Sequence, residues 1–383
     1  MTTVVLKETG KTLQKSFEKI FKHFNYIPQG KVFIKPNFSA RPPIIEGEST
    51  SHIFLQELSD FLIKKGASEV IIGHGALLGT VDVKTSFEKM IKDGGFSFLN
   101  KIPKVRIIDL DKIPRKKITY KNVNFLIPKI LDEVDLYINL AKLKTHMETI
   151  VSFSLKNQMG LVSMMDRVAM HQTELEKRIA FLGKLVKPSL NIIDGITAME
   201  GDGPHHGKTR KLGLVIYGDD MVKVDSMASF IIGVDFKSVE QISIAEKIGV
   251  GKYPSKEELK MAEKYIVKDF KLAKKNKKFG KNIYVWPTFA CSRCISILNE
   301  YGKIVKRHPL ENLKFVKKAL IGSKKINIVI GKANKLRLPK GEKVIAIGLC
   351  TKEFSEKCGI NNLNRCPPSV KEVIDYIKKE LNS

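Results

Sequence analysis

The chain has 383 residues, of which 43% are hydrophobic, and carries a net charge of +27; it is long enough for two or three domains with real cores. No apolar run reaches the roughly 18 residues that would cross a bilayer, and the start Met1-Thr2-Thr3-Val4 lacks the charged-then-apolar layout of a secretory leader. A cytoplasmic protein without a membrane partner is therefore expected. Roughly +19 of the charge falls in residues 251–383. That asymmetry suits an acidic partner, either an acidic electron carrier such as ferredoxin or RNA, or else a lysine-rich solvated surface. No aromatic interleaving or nucleic-acid motif accompanies it.

In chain order, the pattern alternates strand and helix. Val32–Lys35 reads as a short buried strand. Residues 51–65, with Phe54, Leu55, Leu58, Phe61 and Leu62 at helical spacing, read as an amphipathic helix. Further strands are predicted at Glu69–Gly73, Val105–Asp109, Leu136–Asn139, Leu190–Asp194 and Leu212–Tyr217, and a helix over residues 222–232. This is an α/β pattern: a main domain, residues 1–253, with a mixed or parallel sheet covered on both faces. Residues 254–280 are lysine-rich and read as a helical connector. Residues 281–383 form a smaller C-terminal α/β domain. It has strands at 282–286, 326–330 and 343–347 and helices near 292–301, 310–320 and 369–381. The capping box Ser369-Val-Lys-Glu372 marks the start of the last helix.

The densest polar chemistry lies in residues 139–171. Lys142 and Lys144 alternate with apolar residues, so an extended segment sends both to one face. Lys156-Asn157 with Gly160 reads as a polar turn or helix start, where backbone donors join a lysine in holding an anion. Lys35-Pro36-Asn37 adds a cation and an amide at a strand exit. Together Lys35, Asn37, Lys142, Lys144, Lys156 and Asn157 suit a phosphate or carboxylate. His146 or His171 would move protons, since imidazole titrates near neutrality. Asp194 and Asp225 would orient those cations or hold the substrate. The run Met199-Glu-Gly-Asp-Gly-Pro-His205-His206-Gly207 reads as a flexible turn or a mobile loop offering Glu200, Asp202 and two imidazoles.

The last third carries the cysteines. Cys291 and Cys294 form a C-x-x-C, and Cys350 and Cys366 follow, the latter in Cys366-Pro367-Pro368. Two thiolates three residues apart face one metal from a single turn, and two more complete a four-thiolate cage. Such a cage suits an iron–sulfur cluster, 4Fe-4S first, or a structural zinc. Cys358, in a charged helical turn, is the spare. The odd cysteine count argues against a disulfide framework.

The order and spacing of Lys35-Pro36-Asn37, Lys142-x-Lys144-Thr145-His146, Ser154-Leu-Lys156-Asn157-x-x-Gly160, His171, Asp194-Gly195-Ile196, Gly201-x-Gly203-Pro204 and Asp225 closely resemble the domain-of-unknown-function 362 family over about residues 1–255. The resemblance implies an iron–sulfur-associated protein whose fold is distantly similar to that of nickel-dependent lactate racemase. Many members carry a ferredoxin-type module with C-x-x-C-x-x-C-x-x-x-C-P spacing, and this chain has a dispersed pattern instead. The expected function is that of an iron–sulfur oxidoreductase acting on an anionic small molecule. The alternatives are a zinc-stabilised RNA-binding protein and a racemase-like enzyme with a nickel cofactor.

Overall fold

A computed structural model of the chain describes residues 4–7, 13–39, 45–75, 87–274, 277–288, 290, 292–333, 336–339, 341–366 and 368–382. It divides into two units between Ala273 and Lys274.

The first unit contains strands β1 (Val4–Lys7), β2 (Gly30–Pro36), β3 (Ala67–His74), β4 (Val105–Asp109), β5 (Arg115–Tyr120), β6 (Val123–Pro128), β7 (Leu136–His146), β8 (Ile150–Val151), β9 (Leu190–Asp202) and β10 (His206–Gly218). Its helices are α1 (Gln14–His23), α2 (His52–Lys64), α3 (Phe87–Asp93), α4 (Ser154–Asn157), α5 (Met164–Gln172), α6 (Leu175–Leu185), α7 (Met221–Ile231), α8 (Glu240–Lys247) and α9 (Lys256–Ala262). The main sheet runs β1-β10-β9-β7-β2-β3-β4, with β8 paired to β7 and the hairpin β5-β6 separate. β9, β7, β2, β3 and β4 are mutually parallel, and β10 and β1 close the sheet antiparallel. The sheet is mixed, as expected from the alternating pattern.

Period-two alternation explains why both faces are covered. On β2, Val32 and Ile34 pack with Phe17, Ile20, Phe54 and Leu58 of α1 and α2. Phe33 between them faces the other way, into a core with Leu155, Ile179, Leu182, Val222 and Ile242 from α4, α6, α7 and α8.

Residues 254–273, expected as the start of a connector, belong to this unit. Ser255 and Glu258 form a capping box at the start of α9. Ala262 and Phe270 join the core, and the Arg210 guanidinium donates to the carbonyls of Lys268 (2.6 Å) and Asp269 (3.0 Å). The expected mobile loop after Met199 is largely strand. β9 runs to Asp202 and β10 resumes at His206, with Asp202 opposite His206. Glu200 is tied across that hairpin to Arg210 at 2.8 Å.

The second unit has β11 (Lys277–Phe279), β12 (Ile283–Thr288), β13 (Ile326–Gly331), β14 (Lys343–Ile347) and β15 (Asn362–Leu363), in sheet order. All pairs are parallel except β11 with β12. Its helices are α10 (Ser292–Arg307), α11 (Leu313–Ile321), α12 (Lys352–Cys358) and α13 (Val370–Asn382). The β13 residues Ile328, Val329 and Ile330 are almost wholly buried. The box before α13 forms as expected: Ser369 N donates to Glu372 Oε2 (2.7 Å) and Glu372 N to Ser369 Oγ (3.2 Å). Among the described residues no helix is long and apolar enough to cross a membrane.

Candidate functional site

From β2 the chain proceeds outward to β3 and β4, then returns to the other side of β2 to lay down β7 and β9. The strand order therefore reverses between β2 and β7. In such a sheet the crevice outside the carboxyl ends at the reversal is where ligands bind. Lys35 pairs in register with Asn139 and Asn139 with Asn191, so three polar side chains cross the sheet in a row just inside this edge.

A web of buried amides holds the edge. Asn139 Nδ2 donates to Asn191 Oδ1 (2.9 Å) and to the Ser154 carbonyl (3.0 Å). Asn157 Nδ2 donates to Asn139 Oδ1 (2.8 Å) and to the Lys35 carbonyl (3.0 Å), and Asn37 Nδ2 reaches Asn157 Oδ1 at 3.3 Å. Buried amides bonded in this way fix geometry, although Asn37 Oδ1 is buried without a partner among the described residues. Asp225, on α7, lies beneath them. Its two carboxylate oxygens accept Ser154 N (2.7 Å) and Leu155 N (2.9 Å), the first amides of α4. Burial raises its pKa to about 7 in spite of those bonds. Asp225 thus sets the helix that carries Lys156 and Asn157.

The cations fall into two groups. Lys142 and Asp194 are both fully buried, with Nζ and Oδ2 2.7 Å apart; Asp194 Oδ2 also accepts Ser51 N at 2.9 Å, at the start of α2. A cavity of about 480 Å³ opens here, lined by Lys142, Thr50, Ser51, His52 and Thr197 among others. Two residues on, the Lys144 ammonium donates to the Glu48 carbonyl (2.7 Å). Burial lowers the Lys144 pKa to about 7, with Glu48 opposing and Lys156 and Lys142 adding to the fall.

The second group surrounds Lys35, which is 0% exposed and donates to the Pro36 carbonyl at 2.7 Å. Burial, then the charge of Arg167, holds its pKa well below the usual lysine value. A Cβ on Gly160 would stand 2.6 Å from Lys35 Nζ, so a side chain there would displace the buried lysine head, while His74 Nε2 lies 3.4 Å from the same point. His74 is held neutral by burial and then by Lys35, with Arg167 and Lys144 contributing. Arg167 is anchored to Asp111 at 2.6 Å.

The histidines are fixed by their partners. His146 Nδ1 accepts the amides of Glu148 (3.1 Å) and Thr149 (3.4 Å), which places the ring proton on Nε2. Burial, then the charge of Lys156, depresses its pKa, so it is a neutral N–H donor. His171 Nδ1 meets Glu148 Oε2 at 3.0 Å, and His205 Nδ1 meets Glu48 Oε1. Both glutamates are 1% exposed. His205 and His206 are not convergent: their ring centroids are 6.5 Å apart with planes at 68°. Sequence reading missed Glu48, Glu148, His74, Arg167 and Asn191. Of these only His74, inside Gly73-His74-Gly75 at a strand exit, left a visible signal.

In the second unit Cys291 and Pro367 lie outside the described residues. Among the described residues no group of three or more histidine, cysteine or carboxylate side chains is placed to hold a metal ion. Two of the expected ligands nevertheless converge. Gly348, at φ +98°, follows β14, and a Cβ there would lie 3.6 Å from Cys350 Sγ, 3.9 Å from Cys294 Sγ and 3.8 Å from the Arg365 carbonyl, which precedes Cys366. Cys294 is buried in the first turn of α10, Cys350 and Cys366 are partly exposed, and Cys358 is exposed at the end of α12. The thiols of Cys350 and Cys294 thus both lie within about 4 Å of the one Gly348 position, soft donors of the type a thiolate-held metal takes.

The fold and this edge define a mixed-sheet α/β protein with buried lysines at a topological switch point. The chain belongs to the family described as Domain of unknown function (DUF362), whose profile matches residues 32–229. A thylakoid-associated protein of Synechocystis sp. is 29% identical over 124 residues, 31% of this chain and 39% of that protein. The chain thus matches well under half of that relative's length. Two solved structures are distantly similar. The lactate racemase apoprotein from Thermoanaerobacterium thermosaccharolyticum gives a TM-score of 0.40 at 12% identity over 85% of this chain and 68% of that one. A Thermotoga maritima protein gives 0.34 at 11%, over 61% and 58%. Likeness at that level decides nothing about this chain's chemistry.

Proposed function

We propose that the first unit binds a small molecule bearing a phosphate or carboxylate at the β2/β7 edge, and that the second holds a thiolate-bound metal centre, an iron–sulfur cluster in preference to zinc. On this reading the chain is an iron–sulfur oxidoreductase, and its basic second unit meets an acidic electron carrier. One observation carries the anion reading: the ammonium groups of Lys35 and Lys144 are buried and held by backbone carbonyls, with burial driving both pKa values down. A buried cation without full compensation is costly, and a bound anion would offset that cost by drawing protons back onto both lysines. His146 Nε2–H would donate to the ligand. His171, its Nδ1 directed at Glu148, would present Nε2 as the proton acceptor. Lys142 and Asp194 would brace the wall between them.

For the metal centre, Cys294 and Cys350 at the Gly348 cradle support the assignment, with Cys291 and Cys366 completing the thiolate set. An iron–sulfur cluster would supply one-electron transfer or a Lewis-acidic iron.

Two measurements test the reading. Elemental analysis for iron, sulfide, zinc and nickel on anaerobically prepared protein should return iron and sulfide together. Zinc without sulfide would overturn the cluster. Calorimetric titration with inorganic phosphate and small carboxylates should show binding with proton uptake near neutral pH, lost in Lys35→Met and Lys144→Met. Absence of heat with every anion would overturn the first half.

A further inference from the structure

Residues 310–321 of the second unit bury few of their apolar side chains. Leu310 is 84% exposed, Leu313 45%, Leu320 55% and Ile321 79%. Four of the twelve large hydrophobics exposed among the described residues thus fall in one twelve-residue stretch. The arrangement follows from helical geometry. In α11, Phe315 and Ala319 are buried against the unit. Leu313, Lys317 and Leu320 recur at spacings of four and three, so they share the opposite stripe, with Ile321 at its rim. The surroundings are basic: residues 301–325 hold eight Lys or Arg against a single acidic residue, Glu311.

An exposed aliphatic stripe set among lysines is the composition of a helix that lies in a lipid interface, with apolar side chains entering the acyl boundary and ammonium groups meeting anionic headgroups. We infer that the second unit docks through this stripe on the surface of an anionic lipid bilayer. That no helix among the described residues is long and apolar enough to span a membrane bears only on crossing one, not on lying upon one.

The other occupants fit less well. A single-stranded nucleic acid is gripped by aromatic faces on which bases stack, and this stripe offers leucine and isoleucine. A second copy of the chain paired by two-fold symmetry would bring the patch onto itself, setting lysines against lysines. An acidic protein satisfies the lysines but does not call for a row of protruding aliphatic side chains.

The test uses the full-length protein sedimented with phosphatidylcholine vesicles, with and without about 30% phosphatidylglycerol, at about 0.1 M salt. Binding to the anionic vesicles should be at least about tenfold tighter than to neutral ones. Leu310→Ser with Ile321→Ser should weaken it at least about tenfold with charge unchanged. Lys317→Gln with Lys324→Gln should weaken it about ten- to thirtyfold. All four positions are solvent-exposed, so unchanged thermal unfolding of the variants verifies that the fold is intact. No sedimentation with anionic vesicles overturns the inference. So does RNA or acidic-ferredoxin binding that survives the serine variants while vesicles are ignored, or a dimer in solution that the serine variants dissolve.

Discussion

Lysine does opposite work in the two units. In the first, Lys35, Lys142 and Lys144 are at most 2% exposed, lodged in a sheet edge among amides and imidazoles. In the second, lysines such as Lys303, Lys306 and Lys317 stand in solvent around α10 and α11. The chemical group is the same, but a charge taken out of water costs several kcal/mol unless paired, whereas an exposed charge costs almost nothing and contributes almost nothing to stability. Buried lysines therefore need a local reason, in this molecule a carboxylate or a backbone carbonyl. Surface lysines act by summation, through the field they project. Net charge alone, which counts both kinds equally, could not separate them.

The contrast can be broken most forcefully at the Lys142–Asp194 pair. Asp194→Ala leaves a buried ammonium uncompensated and should cost about 3–5 kcal/mol. The double variant Lys142→Met/Asp194→Leu should regain most of that, as followed by urea unfolding of the first unit. If the single variant loses less than the double, the pair is not what holds the edge.

Lys144 sharpens the contrast, because its burial costs stability that the proposed anion would restore. Its pKa of about 7 lies below the ordinary 10.5, so between those values the unfolded chain holds more protons and stability should rise with pH across that window. Lys144→Met removes the penalty. It should stabilise the first unit at pH 7 by on the order of a few kcal/mol while weakening anion binding. In the wild-type chain anion affinity should be greatest below pH 7 and fall above it by up to tenfold per unit. A pH-independent affinity between 6 and 9 would show that Lys144 does not meet the ligand.

Asp225 gives a smaller effect of the opposite slope. Its carboxyl titrates near 7 when folded, against an ordinary 3.8. The folded state therefore holds more protons between those values, and its contribution should be lost as pH rises from about 4 through about 7. Asp225→Asn should flatten that part of the stability profile, read by thermal unfolding at a series of pH values. Smallest of all, Lys303→Gln in the second unit should change stability by less than about 0.5 kcal/mol.

The sequence was most legible where burial and apolarity coincide. Val105–Asp109 and Lys343–Ile347 are strands with the expected ends, and the capping box before α13 was readable from spacing alone. β7 shows the limit. Leu136–Asn139 reads as a strand and then two lysines interrupt the run, yet all eleven residues to His146 are buried. The lysines are buried because Asp194 and the Glu48 carbonyl await them on other elements, which no local pattern encodes. β9 and β10 were shortened for the same reason: glycine and polar residues hid strand that is secured by pairing with the neighbouring strand. The lysines of the site were visible as types at strand exits. Their sorting into a Lys142–Asp194 group and a Lys35–His74 group was not, nor was the orientation of His171 by Glu148. Cys294 and Cys350 were legible as candidate ligands, but their common nearness to Gly348, a product of the chain's path after β14, was not.

The pairing of Lys142 with Asp194 also bears on how the sheet finds its alignment. The two residues are direct partners across β7 and β9, three places along from Asn139 opposite Asn191, and the intervening Leu140, Ala141, Ile192 and Ile193 are apolar and would tolerate several offsets by hydrophobicity alone. A slip of one residue turns every side chain to the other face. A slip of two restores the faces but parts the ammonium from its carboxylate and strands both in the interior. The ion pair then acts as a key: one alignment closes the lock, and the competing ones are expelled by the cost of two solitary charges.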